Sequence, residues 1–332
     1  MLFNKSWPNA TEDDDVIQLG EMSALEELMT SLSGTVLSKV VLYLYPLIGI
    51  WTILVNGLTL VVFAKYKQLQ RKRNVMIISL SAVDLFTGLT QFLPKLLGRL
   101  LGADKSFTVC MVANVMQMAP QWASIAHLVA IAIERHVAIT RPLFYDVIMT
   151  PRRLAFIVAA NIGFSVWISL MLLAWPRDQF SKLCMSILWY PKAYRYVLLV
   201  IPMSSAIFLM VLLYFHIYTI ARRQERAIAE MDQFNTSGNI SNVRKESRAT
   251  QVFIFICGIA LACYIPFCTS MALLIAMPNN TGVIYNYYVS VICLHCNSGM
   301  NFLVYAFRNS EFRAKMKELF HCGKDHNVET VY

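Results

Sequence analysis

One carboxylate, Asp84, stands in the middle of a long apolar run, and Asn56, Ser124, Asn297, Ser298 and Asn301 stand mid-run in three others. An isolated carboxylate in an apolar medium is neutralised or needs a cation with several oxygen ligands. Asp84 with Ser124, Asn297 and Ser298 fits a small monovalent cation, with sodium the expected ion and no organic cofactor beside it. The plain alternative is a hydrogen-bond network that only holds helices together. A second constellation is Glu134-Arg135-His136 at the end of the third apolar run, with Lys245-Glu246 opening the sixth. If those two runs are neighbours, Arg135 can pair with both carboxylates, and such a pair is a bistable latch. The alternative is an arginine that snorkels at a membrane edge.

These groups need elements to position them. Of 332 residues, 57% are hydrophobic and 15% charged. A soluble globule carries roughly 25% charged residues, so lipid is the expected solvent. The net charge of +9 lies in short clusters between apolar runs, as in loops near anionic lipid. Basic residues interleaved with aromatics are missing, so nucleic acid is not an expected partner. A span needs roughly 20 mostly apolar residues. Stretches of that kind lie near 37–65, 74–98, 107–140, 153–175, 194–222, 248–277 and 284–307. The fold expected is an all-α membrane protein, a seven-transmembrane helix bundle. Residues 1–36 form an extracellular tail, 37–308 the bundle, and 309–332 an interfacial helix and cytoplasmic tail.

Lys65, Lys67, Arg71, Lys72 and Arg73, then Arg141, Arg152 and Arg153, then Arg222, Arg223, Arg226, Arg244, Lys245 and Arg248 all fall on one side. The positive-inside rule makes that side cytoplasmic and the N-terminus extracellular in a multi-pass plasma-membrane protein. The acidic start of the chain does not read as a cleaved signal peptide. Sequons at Asn4, Asn9 and Asn279 fall outside, where glycans attach, whereas Asn235 and Asn239 fall inside. Phe312, Met316, Leu319 and Phe320 recur at helical spacing among basic residues, as in a helix lying on the inner leaflet. Cys322 beyond it is a palmitoylation candidate or an unmodified thiol. Five cysteines, Cys257, Cys263, Cys268, Cys293 and Cys296, lie within spans and read as apolar packing. Cys110 and Cys184 are the two on the oxidising side, and a disulfide between them is expected.

Taken together, Asn56, Leu80-Ser81-Ala82-Val83-Asp84, Cys110, Glu134-Arg135-His136, Trp167, Cys184, Tyr214, Cys263-Tyr264-Ile265-Pro266 and Asn301 to Tyr305 resemble the rhodopsin-like receptor family in order and spacing. The likeness runs from about Tyr45 to Phe320. Within the family, Ala130 to Arg135, Ala221-Arg222-Arg223-Gln224, His295-Cys296-Asn297-Ser298 and Glu311-Phe312-Arg313 are similar to adenosine receptors. Melanocortin receptors share much of this but lack the disulfide that Cys110 and Cys184 imply. Departures from the adenosine pattern are Met271 for an Asn, and Ser186 and Ile187 for a Phe-Glu pair, which weakens adenine recognition. Departures in the switch are Tyr264 for Trp, Phe302 for Pro, and Pro202 one turn early.

The resemblance implies a receptor that activates heterotrimeric G proteins, with Glu134, Arg135, Glu246, Tyr214, Asn301 and Tyr305 as the coupling switch. It implies an outward-opening cavity lined by Gln117, Gln121, Tyr264, Phe267, Met271, Tyr288 and His295. Some of these side chains could instead bond each other across helices. Gln117 offers no counter-ion for an amine, and no lysine in span seven could hold retinal. The expected ligand is small, neutral and polar, nucleoside-like in one version. The alternative is an orphan or constitutively active receptor for a peptide or lipid, or a transporter. The sequence lacks the internal repeats common in transporters and any framed nucleophile of an enzyme.

Overall fold

The computed structural model describes residues 36–100, 107–171, 195–233, 240–308 and 310–321. Within them run seven long helices: α1 (Val36–Lys65), α2 (Val75–Leu100), α3 (Phe107–Thr140), α4 (Pro151–Leu170), α5 (Ile201–Gln233), α6 (Ile240–Ala276) and α7 (Thr281–Arg308). A shorter helix, α8 (Ser310–His321), follows. The described residues contain no strand. Hydrocarbon offers a peptide group no partner, so a spanning segment must close its own hydrogen bonds, and a helix does so. Six of these helices are long and apolar enough to cross a bilayer. The seventh, α7, has 28 residues but carries His295, Asn297, Ser298 and Asn301, all buried in the bundle. Its polarity is an inner face, not a reason against spanning.

Helix α3 is the axis of the fold. It packs against α2, α4, α5 and α6, while α1 packs on α2 and α7, and α6 on α5 and α7. Large apolar side chains such as Phe156, Phe208 and Phe215 point away from the bundle, as lipid-facing residues do. Packing between helices in lipid depends on close approach, which small residues permit. A Cβ on Gly88 would sit 2.8 Å from the Gly49 carbonyl oxygen, and one on Gly299 would sit 2.6 Å from Trp51. Those two contacts set α1 against α2 and α7.

Prolines lie inside α1, α2, α3 and α6 at Pro46, Pro94, Pro120 and Pro266. Just before Pro202, Tyr196–Val200 forms a π turn. A proline without an N–H cannot continue the regular ladder, and a π turn absorbs the offset. The early proline noticed in the sequence therefore has a local structural counterpart. Helices α5 and α6 extend beyond the spans expected from apolarity, to Gln233 and from Ile240. Ala, Arg, Gln and Glu in those extensions are good helix formers in water.

The link from α3 to α4 is tightly built. A 3-10 turn at Pro142–Phe144 leads into the helical turn Tyr145–Ile148, and the Thr150 hydroxyl caps α4 by accepting from the Arg153 amide at 3.3 Å. Lys72 ties this link to the start of α2 through Asp146 at 2.9 Å. Helix α8 is anchored by Phe312, buried against Phe63, Phe302 and Tyr305 with ring centroids 5.6, 6.3 and 6.2 Å away. Met316 and Leu319 pack beside it, Phe320 is exposed, and Arg71 pairs with Glu311 at 3.1 Å. The interfacial helix read from the apolar spacing is thus present and amphipathic.

Candidate functional site

Three polar layers are stacked along α3. The first, toward Cys110, joins α1, α3 and α7. His295 Nδ1 lies 2.7 Å from the Val291 carbonyl oxygen, which can only accept, so that nitrogen carries the proton and Nε2 is an acceptor. The Tyr45 hydroxyl donates to His295 Nε2 at 3.0 Å, and the Gln117 amide donates to the Tyr45 hydroxyl. A second Gln117 N–H faces the same His295 nitrogen at 3.0 Å. The result is a directed chain from amide to hydroxyl to imidazole to carbonyl. Gln117 and His295, both expected to face a ligand, are bonded to each other across the helices. Gln121, one turn below, is buried with neither amide atom hydrogen-bonded. Phe267 and Met271 are buried and Tyr288 is half-buried, with Phe267 6.2 Å from the Tyr287 ring.

The second layer surrounds Asp84, which is fully buried. Its Oδ1 accepts from the Ser124 hydroxyl at 3.1 Å and its Oδ2 from the Asn301 amide at 2.7 Å. The Ser298 hydroxyl also faces the carboxylate. Asn56 donates to the carbonyls of Thr52 and Ser298 at 3.0 and 2.9 Å, which pins α1 to α7. The expected ion ligands Asp84, Ser124 and Ser298 are therefore together. Around them, polar valence is left over: both amide atoms of Asn297, the Ser81 and Thr52 hydroxyls, Asn56 Oδ1 and the hydroxyls of Tyr264 and Tyr305 are buried without a hydrogen bond. Native interiors rarely leave such groups unpaired unless water or an ion satisfies them. A hard cation takes oxygen ligands, and this donor set is rich in oxygens, so the residues present fit a sodium ion.

The third layer is at the other end of α3. Glu134 and Arg135 are buried and paired at 3.1 Å, and the Tyr145 hydroxyl donates to the other Glu134 oxygen. His136 Nε2 meets His216 Nδ1 at 2.8 Å, joining α3 to α5. Tyr305 is buried between the Asp84 layer and this one, whereas Tyr214 is half-buried and stacks on Tyr218 at 6.4 Å. Glu246 lies on α6, but its side chain is outside the described residues, as are Asn4, Asn9, Cys184 and Cys322. Cys110 is disulfide-bonded, and Asn279 is exposed on the turn between α6 and α7.

Several participants escaped the sequence reading. Tyr45 and the His136–His216 pair are bridges between elements distant in sequence, and Tyr145 folds back onto Glu134 from the turn after α3; no local spacing reveals them. Leu143, Phe144 and Val147 expose apolar side chains on the α3–α4 link; three large apolar residues in a loop bounded by arginines were the available signal. Trp167, grouped with the receptor motifs in sequence, faces outward, half-exposed and 6.0 Å from Phe164.

Comparison with known proteins agrees with this architecture. Melanocortin receptor 5 of Pan troglodytes is 27% identical over 203 residues, covering 60% of this chain and 57% of that protein. The same receptor of Rattus norvegicus is 29% identical over the same shares. The chain thus spans less than two thirds of the length of these relatives. Melanocortin receptor 4 of Danio rerio is 25% identical over 287 residues, 83% of this chain and 82% of that one. The likeness to adenosine receptors rests on the short motifs quoted above. The family described as "7 transmembrane receptor (rhodopsin family)" matches residues 55–305, well over half of the chain. With seven membrane helices and Asp84, Arg135 and Tyr305 buried along their core, the chain belongs to the rhodopsin family of seven-transmembrane receptors.

Proposed function

We propose that this chain is a plasma-membrane receptor with its N-terminus outside, which binds an extracellular ligand near the Cys110 end and activates heterotrimeric G proteins at the Arg135 end. The observation that carries the reading is the buried Glu134–Arg135 pair, placed at the end of the central helix of a bundle of this family. A buried arginine held by one neighbouring carboxylate, itself held by the Tyr145 hydroxyl, is a group that a partner can recruit. Leu143, Phe144 and Val147 beside it give the partner an apolar footing. In the open state the receptor would accept a helix of the G protein in a groove between its own helices. Glu246 is the second carboxylate for Arg135 in this reading, and Tyr214 and Tyr305 brace the open arrangement. A disulfide from Cys110 to Cys184, glycans on Asn4, Asn9 and Asn279, and a palmitoyl group on Cys322 belong to the same reading.

The ligand would sit against Gln117, Gln121, Tyr264, Phe267, Met271, Tyr288 and His295. Among the described residues, Asp84 and Glu134 are the carboxylates buried in the bundle, and neither is at the Cys110 end. The described residues thus give a cationic ligand no buried counter-ion there, which favours a neutral polar ligand, a nucleoside in one version. The relatives' names favour a second reading, a melanocortin. Asp84, Ser124, Asn297 and Ser298 would hold a sodium ion, which supplies a positive charge that lets Asp84 stay ionised in the bundle. Ligand binding shifts the receptor only through unequal affinity for its closed and open forms.

The test is G-protein activation in cells expressing the full chain, challenged in turn with adenosine and a melanocortin peptide. An Arg135→Ala version matched for surface expression is the control. A response to either ligand that Arg135→Ala abolishes supports coupling and selects the ligand class. Equal signalling from both versions would overturn the assigned role of Arg135.

A further inference from the structure

One of the residues that separate this chain's switch from the family pattern, Tyr264, also carries a buried oxygen that has no hydrogen bond. Tyr264 is 1% exposed and lies on α6 two residues before Pro266, where the helix has lost a hydrogen bond. Its hydroxyl lies beside the Ser124 hydroxyl, within electrostatic reach of the Asp84 carboxylate, yet it makes no hydrogen bond of ordinary geometry. Ser124 spends its proton on Asp84 Oδ1, so its oxygen keeps two lone pairs. One is free to accept a proton from Tyr264 and the other to face a cation. A phenol can both donate and accept, whereas an indole N–H only donates and a phenylalanine does neither.

We propose that the Tyr264 hydroxyl is a positioning group of the Asp84 chamber: it donates to Ser124 Oγ and fixes the Ser124 oxygen for a sodium ion. This rests on the sodium reading given above and deepens it. It also gives α6 a direct polar link to α3, so that movement of α6 would withdraw the phenol and loosen the chamber. Two further observations favour the link. Leaving a buried hydroxyl unpaired is costly, so a small rotation that pairs Tyr264 with Ser124 is downhill. Both amide atoms of Asn297 are unpaired in the same layer, which leaves polar valence there for one more ordered partner.

The test uses the purified full-length receptor, with its unfolding temperature measured over a sodium chloride titration against N-methylglucamine chloride at matched ionic strength. Wild type should show a saturable sodium-dependent rise, and Asp84→Asn should show none. Tyr264→Phe removes one oxygen and keeps the ring; it should shift the half-saturating sodium upward by roughly three- to tenfold, the size of one net hydrogen bond. Ser124→Ala should do the same, and the double variant should lose no more than the larger single loss. A purely structural tyrosine would lower the unfolding temperature in both salts and leave the sodium midpoint alone. That result, with Asp84→Asn flat, would overturn the role of Tyr264 while the sodium site stood. A wild-type receptor with no sodium-dependent rise would overturn the site and the positioning role together.

Discussion

The two polar layers in the upper and middle thirds of the bundle are both buried and both built on α3, yet they are finished differently. Gln117, Tyr45 and His295 use their donors and acceptors on one another and end on the Val291 carbonyl. Around Asp84 the carboxylate is met by Ser124 and Asn301, but Asn297, Ser81, Thr52, Tyr264 and Tyr305 keep unpaired polar atoms. A closed chain of this kind is a strut, because the Gln117 amide nitrogen, the Tyr45 hydroxyl and both His295 nitrogens already have partners. An open one has capacity for something else. Burial and polarity alone do not separate a structural network from a binding site; the leftover valence does.

The sharpest way to break this contrast is to remove the charge at its centre. Asp84→Asn keeps the shape and most of the hydrogen-bond partners but offers a cation no full charge. It is expected to remove the whole sodium-dependent rise in unfolding temperature, whereas His295→Ala should leave that rise intact. If both variants abolish it, the layers act as one network and the contrast fails.

The next effect concerns the strut. His295→Ala takes away the acceptor for Tyr45 and leaves buried polar groups of Tyr45 and Gln117 exposed to hydrocarbon, at a cost of about 1–3 kcal/mol. Thermal unfolding of the purified receptor should fall by several degrees in sodium and in N-methylglucamine alike. Tyr45→Phe removes the middle of the chain and should cost less, about 0.6 kcal/mol for an interhelical hydrogen bond in a membrane protein. In a double-mutant cycle the two losses should be less than additive, since each removes the same bond. Additive losses would mean that the hydrogen bond contributes nothing.

Much of this is legible in the amino-acid sequence. Six of the seven spans follow from apolar length alone, the seventh from a run that also carries the polar residues of its inner face, and α8 from the spacing of Phe312, Met316 and Leu319. Asp84, Ser124, Ser298 and Asn301 were recognisable because polar groups at mid-span are expensive, and the structure brings them together. What stayed hidden was partnership. Nothing in the sequence near Tyr45 announces His295, 250 positions away, or that Tyr145 would take the second oxygen of Glu134. Trp167 shows another hidden property: its place in the order of motifs does not tell its face, and it is half-exposed because the face a residue occupies depends on the rotation of α4 against α3. The lengths of α5 and α6 were underestimated because apolarity measures the bilayer and not the helix.

The smallest expected effect on stability tests the contrast most sensitively, because its sign is in question. Gln121 stands between the two layers, buried, with no hydrogen bond to either amide atom. If it belonged to the strut, Gln121→Leu would cost stability, as loss of any bonded group does. If its amide is reserved for a ligand, the unliganded receptor carries an unpaired polar group, and an apolar side chain of similar volume removes that penalty. Gln121→Leu is then expected to leave the unfolding temperature unchanged or slightly raised, while ligand-stimulated G-protein activation falls roughly tenfold or more in potency, the scale of one to two lost polar contacts. A clear drop in unfolding temperature with unaltered signalling would place Gln121 in the strut and leave the upper layer without a free polar group for the ligand.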